Sequence, residues 1–577
     1  MEPVKLSDEC RLRIFHVNDV YVLDNFPALK ACIGSMSQGQ PNVLTTLAGD
    51  FLAPSLLSSI DQGRGMVNVM NALPIDAVCF GNHEADVPYL SLISRVNEFA
   101  GAWVNSNMPS FSAEESALQP GKCPDHHLLR LTGGRTVALL GLNVGGGANT
   151  SLYRDDAFGG HAKRITPVLE AAAGAVERAR AACGDGVLDC ALPMTHQLID
   201  DDRQLCQLGL PFPVVLGGHE HDVYDETVCG TRILKAGADA CNVMVVDIVW
   251  EAGTPPGAMP TSVSAQLVPL CAPKGHKGPP PELPFAPGDA ALRKTCAYWE
   301  QPAVELQQAV MAIYEPGFLS SMDVRSKPST MATAIATAFR ATERADGAII
   351  NAGGVRGQKT YEDGKVTFAD LNRECPFPSE NIVISVSGQA LSDAVQRSRA
   401  EWPQSSGMAL HGDDAMEMDP HTHRVVAVGG APLEPERLYT IVCDSYIVKS
   451  NEPLRAYASA HPERFPADDA GRPALPILVQ HYCDRVWRKL LDRDENGDIS
   501  REEAEALFDE ADTSPRDGVI DHEELHAVIG RRLGGLQASK IIAKQCISIL
   551  DVNQDGVISK EELLTMLAQE VAARHRE

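Results

Sequence analysis

Ala77-Val-Cys-Phe80-Gly81-Asn82-His83-Glu84-Ala85-Asp86 sets a short apolar run against a glycine turn that carries an amide, an imidazole and two carboxylates. The run reads as a buried strand ended by a turn. The carboxyl end of such a strand is where open α/β folds bind ligands. Four more turns, outward along the chain, repeat the arrangement. Arg11-Leu-Arg-Ile-Phe-His-Val runs into His16-Val-Asn-Asp19-Val-Tyr21, and Asn42-Val-Leu-Thr-Thr-Leu-Ala into Ala48-Gly-Asp50. Val187 to Leu192 leads to Met194-Thr-His196-Gln, and Pro213-Val-Val-Leu to Gly217-Gly-His219-Glu-His221-Asp. Thr136 to Leu142 and Asn242 to Trp250 read as further strands and Ala171 to Cys183 as a helix, so an α/β layered domain is expected.

Taken singly, each of these turns is bland: a Gly-Asn-His is an ordinary glycine turn, and a lone histidine is more often a satisfied core residue. Their repetition, each after a strand, points to a site. Carboxylate, amide and imidazole donors suit hard or borderline divalent ions rather than a thiolate site. One carboxylate can bridge two ions ~4 Å apart, and such a pair clamps the attacking and leaving oxygens of a phosphoryl transfer.

The set resembles the calcineurin-like metallophosphoesterases, specifically their 5′-nucleotidase branch, in motif order from about Ile14 to Ala470. The resemblance implies an α+β layered β-sandwich with flanking helices and a second α/β substrate domain. It implies Asp19 and His221 for a first metal, Asn82, His196 and His219 for a second, and Asp50 bridging them. His83 and Asp86 become the catalytic pair, Asp86 orienting the imidazole. The implied cofactors are two divalent or mixed-valence ions (zinc, manganese, iron or cobalt), and the implied reaction is in-line hydrolysis by a metal-activated water. The family's first motif reads Asp-x-His where this chain has Asp19-Val-Tyr21. Either Tyr21 is a ligand or the first site is one ligand short. With Asp19, Asp50 and His221, Tyr21 would resemble the ferric ligand set of purple acid phosphatases, whose tyrosine comes from a different motif. His16 is expected on the opposite strand face from Asp19, a poor substitute.

Ile349-Ile-Asn351-Ala-Gly-Gly-Val-Arg356 reads as a strand leading into a glycine turn with an arginine. Glycines admit a close backbone approach and Arg takes an oxyanion bidentately. Downstream stand Thr367-Phe-Ala-Asp370-Leu, Pro376-Phe377-Pro and Asp444-Ser-Tyr446. Alone, each is weak, and Phe377 and Tyr446 default to core aromatics. In this order they resemble the 5′-nucleotidase C-terminal domain, which implies Asn351 and Arg356 for polar contacts and Phe377 and Tyr446 for stacking a base. Two departures stand out: Thr330-Met-Ala-Thr333 replaces the family's Asn-x-Gly-Asn, and Ser450-Asn-Glu452 replaces its Gly-Gly-Asp. They leave room for a substrate other than a plain nucleoside monophosphate. Arg325 or Lys327 is a candidate second phosphate contact.

Beyond His481 acidic loops alternate with amphipathic helices, an all-α region expected to follow the substrate domain after a short stretch. Asp492-Arg-Asp494-Glu-Asn496-Gly497-Asp498-Ile-Ser-Arg-Glu-Glu503 fits the twelve-residue EF-hand loop, with the glycine for its sharp turn and the last glutamate for bidentate ligation of calcium. Asp551-Val-Asn553-Gln-Asp555-Gly-Val-Ile-Ser-Lys-Glu-Glu562 fits equally well. A third loop, with Asp512, Asp517 and Glu524, has one residue too many before its glycine, so its ligation is expected to be weak or absent. Its separation from the Asp551 loop suits a helix-loop-helix pair, leaving the Asp492 loop as an extra one.

At 577 residues the chain holds several domains. The boundaries read as 11–252 for the metallophosphoesterase domain, 253–314 for a linker and bridging helix, 315–475 for the substrate domain and 478–572 for the EF-hand region. A net charge of -27 repels phosphate backbones and argues against nucleic-acid binding. Fifteen scattered cysteines favour free thiols and a reducing compartment. No basic-then-apolar leader is legible near Met1, and no apolar run reaches the ~20 residues of a membrane helix. A cytoplasmic enzyme with a small-molecule nucleotide substrate is therefore expected, or a secreted one if a leader has been removed. The competing readings are a cyclic-nucleotide phosphodiesterase or nucleotide-sugar hydrolase, and a calcium-binding interaction protein with a decayed enzyme domain.

Overall fold

In the computed structural model, which describes residues 9–113, 118–147, 152–153, 157–184, 186–272, 283–377, 380–466, 471–513, 515–534, 540–551 and 555–565, the apolar runs of the N-terminal unit become twelve strands. In chain order they are β1 (Cys10–Val17), β2 (Val43–Ala48), β3 (Ala77–Cys79), β4 (Ala102–Val104), β5 (His126–Arg130) and β6 (Thr136–Asn143). There follow β7 (Cys190–His196), β8 (Val214–Gly218), β9 (Val223–Val228), β10 (Thr231–Ala236), β11 (Asn242–Trp250) and β12 (Ser262–Pro269). They form two six-stranded sheets, β12-β11-β1-β2-β3-β4 and β5-β6-β7-β8-β10-β9. Inward side chains of both sheets, among them Ile14, Leu44, Leu139, Leu192, Met194, Val246 and Trp250, share one buried cluster, which makes the pair a sandwich. Fully burying each such aliphatic side chain contributes about 1.5–3 kcal/mol. Helices Phe26–Met36 and Arg64–Asn71 cover the outer face of the first sheet with Leu29, Met66 and Met70, and helix Val168–Ala182 covers that of the second.

The central strands are parallel, β1 to β2 to β3 in one sheet and β6 to β7 to β8 in the other. Their carboxyl ends carry all five of the turns read from the sequence. Two sequence readings need correction. The stretch 253–288, read as loop or linker, contains edge strand β12, paired antiparallel with β11. The bridging helix expected over 290–313 stops at Gln307, and Val310–Ile313 is a strand paired with Lys365–Thr367.

The chain divides into two units, Met1–Gln301 and Pro302–Glu577. The second is built on a five-stranded sheet in the order Leu410–Gly412, Gly347–Asn351, Leu438–Asp444, Glu380–Ser387, Arg472–Pro473. Ile349, Ile384, Val386, Ile441 and Cys443 of this sheet pack with Leu391 and Val395 of helix Gly388–Ser398. The short stretch expected before the first calcium loop is instead one continuous helix, Ala474–Leu491. It packs on helix Thr330–Glu343 of the sheet layer and also on helix Lys540–Leu550 of the EF-hand region, so it crosses the boundary expected between 475 and 478. Its Trp487 is buried and donates Nε1–H to the Cys546 carbonyl at 2.8 Å. None of the fifteen cysteines is in a disulfide, and all but Cys229, Cys241 and Cys271 are buried. Among the described residues no helix is long and apolar enough to cross a membrane.

Candidate metal centre and nucleotide site

The ligand-bearing turns are strained and tight. Asp19, Asp50 and His219 all have positive φ, 53°, 55° and 91°. Such values cost a non-glycine residue energy and persist where the surroundings over-determine them. The glycines beside the ligands are there because a Cβ has no room. At Gly81 it would stand 2.1 Å from Asp50 Oδ1, at Gly49 2.4 Å from His196 Nδ1, and at Gly218 2.3 Å from the Ala48 carbonyl and 2.9 Å from His196 Nδ1. The motif glycines thus let three strand ends close on one point.

At that point His196 Nε2 lies 3.0 Å from Asp50 Oδ2 and 4.0 Å from Asp19 Oδ1, with all three side chains buried. Its other nitrogen, Nδ1, is 2.9 Å from the Ala48 carbonyl, which leaves Nε2 as the donor facing the centre. Asp50, His196 and His219 bring ligand atoms within 4.8 Å of one another. Asn82 Oδ1 is 3.1 Å from His219 Nδ1. Tyr21 Oη lies 3.4 Å from Asp19 Oδ1, 3.4 Å from Asp50 Oδ2 and 3.1 Å from His221 Nε2, so the tyrosine faces the cluster. His221 is the outermost member, its side chain 59% exposed and Nε2 3.6 Å from Asp19 Oδ1. His83 and Asp86 meet at 2.8 Å, Nδ1 to Oδ2, at the edge of the same cluster, where His83 N–H also donates to Asp50 Oδ1 at 2.9 Å.

The electrostatics match a cation site. Burial favours the neutral imidazole of His196, but the Asp50 and Asp19 carboxylates outweigh it and raise its pKa to about 9. Burial likewise works against the Asp50 charge, which His196 and His83 nonetheless hold well below the usual carboxylate range. Asp19, with burial dominant, is raised. Two buried carboxylates and imidazoles converging on one space, in a cradle that added Cβ atoms would fill, fit divalent ions with oxygen and nitrogen preference.

His16 is buried, and both its ring nitrogens are engaged, Nδ1 3.0 Å from Thr46 Oγ1 and Nε2 3.0 Å from the Gly217 carbonyl. Three supporting residues escaped the sequence reading. Glu84 is fully buried and accepts four backbone N–H bonds, from Asp50 (2.9 Å), Phe51 (2.8 Å), Leu52 (3.0 Å) and Gly81 (2.7 Å), tying two ligand turns to one carboxylate. Burial and the neighbouring Asp50 charge push its pKa up to about 6. Asn18 donates to Asp19 Oδ2 and to the Gly237 carbonyl, both at 2.7 Å. Lys235 is buried and donates to the carbonyls of Gln197 (2.7 Å) and Gly218 (2.8 Å), next to His196 and His219, while Asp202 (3.1 Å) and Glu220 balance its charge. Only the acid inside Gly-Asn-His-Glu carried a sequence signal; Asn18 read as one more turn residue, and Lys235 lay in none of the motifs.

In the second unit, Asn351 ends a strand, and Tyr446 follows the neighbouring parallel strand Leu438–Asp444. Phe377 precedes the antiparallel strand Glu380–Ser387, whose Asn381 stands opposite Asp444, so all three share one sheet edge. Phe377 is 46% exposed and Tyr446 53%, which removes the default reading of both as core aromatics. The Arg356 guanidinium lies 5.1 Å from the Phe377 ring centroid. Asn351 Nδ2 reaches the Gly407 carbonyl at 3.4 Å, and Tyr446 Oη is 4.0 Å from Met408 Sδ.

In the first candidate calcium loop, Asp492, Asp494 and Glu503 bring carboxylate oxygens within 4.8 Å. Gly497 N–H donates to Asp492 Oδ2 at 3.0 Å, Asn496 Nδ2 to Asp494 Oδ2 at 2.8 Å, and Asp498 N–H to Asn496 Oδ1 at 2.7 Å. The longer Asp512 loop keeps the same frame. Gly518 N–H reaches Asp512 Oδ2 at 3.1 Å, Asp517 N–H reaches Asp512 Oδ1 at 3.1 Å, and Glu524 Oε1 accepts from Thr513 at 2.9 Å, as Glu503 does from Arg493 at 2.8 Å. In the Asp551 loop Gly556 N–H donates to Asp551 Oδ2 at 2.8 Å, Asp555 Oδ1 accepts from Val557, and Glu562 Oε2 accepts from Ser559; Asn553 lies outside the described residues. Val519–Ile520 pairs antiparallel with Ile558–Ser559, so the Asp512 and Asp551 loops are the coupled pair.

Residues 309–458 match the family model described as 5′-nucleotidase, C-terminal domain, and residues 543–567 match an EF hand. The chain is 20% identical over 406 residues to an uncharacterized metallophosphoesterase, YunD, of Bacillus subtilis, covering 68% of this chain and 79% of that protein. Its fold is similar to that of the Haemophilus influenzae NAD nucleotidase (TM-score 0.61, 16% identity, 82% of this chain and 96% of that one). It is also similar to that of a 5′-nucleotidase precursor from Thermus thermophilus (TM-score 0.50, 18% identity, 82% and 96%). The strand-end donor cluster thus lies in one unit, and the segment that matches the 5′-nucleotidase C-terminal domain, followed by a segment that matches an EF hand, lies in the other.

Proposed function

We propose that the chain hydrolyses phosphate esters of nucleotides, using water activated between two metal ions. The observation that carries this reading is the contact of one carboxylate, Asp50, with both halves of the machinery: His196 at 3.0 Å among the metal donors and His83 N–H at 2.9 Å in the catalytic pair. Asp19, Tyr21 and His221 would hold one ion and Asn82, His196 and His219 the other, with Asp50 between them. Bound ions of zinc, manganese, iron or cobalt supply Lewis acidity and lower the pKa of a water. Glu84, Asn18 and Lys235 keep the donor turns in place by the bonds described above. Asp86, accepting from His83 Nδ1–H, fixes the imidazole so that Nε2 is turned outward. Protonated there, His83 stabilises the developing charge and gives a proton to the leaving oxygen. Asn351 and Arg356 make the polar contacts to the substrate, and Phe377 and Tyr446 stack the base, a contact that tolerates several bases because every base has a π-face.

Calcium in the EF-hand loops modulates this activity in the same reading. The support is helix Ala474–Leu491, which packs on the substrate fold through helix Thr330–Glu343 and ends in the Asp492 loop. Ordering of that loop acts on one rigid element rather than on a linker. The test of substrate class is product analysis: orthophosphate from nucleoside 5′-monophosphates, and nucleoside monophosphate from dinucleotides, nucleotide sugars and cyclic nucleotides. Hydrolysis confined to cyclic nucleotides would replace the nucleotidase reading with a phosphodiesterase.

A further inference from the structure

An open pocket of about 630 Å³ lies in the second unit, its lining including Arg399, Trp402, His411, Met416, Met418 and His423 together with Lys327 and three aspartates. Its carboxylates are already engaged. Asp413 pairs with Arg340 Nε at 3.0 Å and accepts from Ala348 (2.6 Å) and Ala415 (2.8 Å). Asp414 pairs with Arg340 Nη2 at 3.0 Å, and Asp419 Oδ1 accepts from Thr422 N–H (2.6 Å), Thr422 Oγ1–H (2.9 Å) and His421 N–H (3.0 Å). Lys327 is held by Asp323 at 3.0 Å.

Arg399 is different. It is 6% exposed, and its Nε donates to the Leu410 carbonyl at 2.8 Å. Its guanidinium lies 4.6 Å from the Trp402 ring centroid. Among the described residues no carboxylate comes within ion-pair distance of it, and its two terminal nitrogens have no protein acceptor. Burial alone lowers its pKa to about 10. His411, with Nε2 bonded to the Val324 carbonyl at 2.9 Å, is pushed down to about 4 by burial and by Arg399, so it stays neutral and adds no second positive charge. A buried cation without an anion is costly unless something supplies one.

We propose that this pocket is a binding site for an organic anion, its phosphate or carboxylate group held by the two terminal nitrogens of Arg399 and its planar or apolar body against Trp402, Met416 and Met418. Arg suits this task because its fork of donors takes two oxyanion oxygens at once. The site is separate from the residues assigned to base recognition but connected to them by a short segment. Trp402 Nε1–H and Ser406 N–H both donate to the Arg325 carbonyl, and five residues on from Trp402 the chain reaches Gly407 against Asn351 and then Met408 against Tyr446. Occupancy of the pocket is thereby placed to influence nucleotide affinity.

The test is a titration of the full, metal-loaded chain with phenylphosphonate, which resists hydrolysis, and in a separate arm with benzoate. The signal is Trp402 fluorescence, taken as the difference between the parent and Trp402→Phe. At least one arm should give a saturable response, and the arm that does identifies the anion group. Arg399→Gln should weaken it about tenfold or more, and Arg399→Lys, which keeps a cation but loses the fork, by several-fold. Should Arg399→Gln fail to fold, Arg399→Lys carries the test alone. No saturable Trp402 response in either arm, or Arg399→Lys binding as tightly as the parent, overturns the proposal.

Discussion

Glycine does two different jobs in the two regions proposed to bind metals. In the strand-end centre a Cβ at Gly49 or Gly81 would strike a candidate ligand, and at Gly218 the Ala48 carbonyl, at 2.1–2.4 Å, with Gly49 also at φ +71°. In the EF-hand loops, Gly497, Gly518 and Gly556 would meet nothing within 4 Å, yet all three have φ of +86°. The first region is specified by crowding, with buried donors clamped by Glu84, Asn18 and Lys235. The second is specified by backbone conformation alone, with half-buried or exposed carboxylates tied to their own loop. A crowded site is preorganised and intolerant. A conformational one is tolerant.

Substitution should expose this contrast most sharply at Gly81. Its φ is not in the left-handed region, so Gly81→Ala acts by collision with Asp50 only, and we expect purified protein without bound transition metal and turnover too low to detect. Metal content by elemental analysis checks it; normal loading would mean the turns are looser than the geometry implies. Next in size, His83→Ala should retain both ions while turnover with a nucleotide falls about a hundredfold or more, since His83 lies outside the ligand set. Unchanged turnover would remove it from the catalytic pair.

Smaller effects belong to the second unit. The double variant Phe377→Ala, Tyr446→Ala should raise KM for a nucleotide far more than for a small aryl phosphate, by an amount equivalent to about 2–5 kcal/mol. Equal losses on both substrates would show that the aromatics support the fold instead. Smallest, Gly497→Ala should leave transition-metal loading intact and weaken calcium binding about fivefold, the ~1 kcal/mol cost of an L-residue in the left-handed region. A calcium titration of turnover in the parent and in Glu503→Gln, Glu562→Gln then separates modulation from stabilisation. A melting temperature that responds to calcium while turnover never does would confine calcium to structure.

The two regions also differed in how far they could be read in advance. The EF-hand loops are contiguous, so donors and glycines lie in one window, and the pairing of the Asp512 and Asp551 loops followed from their separation. The metal centre is discontinuous, but its donors announced themselves through glycine turns after apolar runs, and Asp19, Asp50, Asn82, His196 and His219 do converge. What stayed hidden had no periodic or motif signal. Lys235 sits in a strand pattern that gives no hint of its buried ammonium, and Asn18 looks like one more turn residue. Strand β12 was missed because Ser262-Val-Ser-Ala-Gln-Leu-Val-Pro is an exposed edge strand inside a proline- and glycine-rich stretch, with only Leu270 and Val268 near its end buried. The Ala474–Leu491 helix was missed as a unit although Ile477, Leu478, Tyr482, Val486, Trp487 and Leu490 recur along it at helical spacing. Tyr21 was legible as a departure, and its hydroxyl's position within 3.4 Å of both aspartates came only from the fold.

The central claim is that two ions are needed, held by the donors around Asp50. The most direct test is to strip the protein with a chelator, then add back zinc, manganese or cobalt in measured equivalents while following phosphate release from a nucleoside 5′-monophosphate and bound metal together. The account predicts no release from the stripped protein and full release only as the second equivalent binds. It further predicts that Asp50→Asn prevents the second equivalent from binding tightly. Full activity at one equivalent, or in the stripped protein, would contradict it.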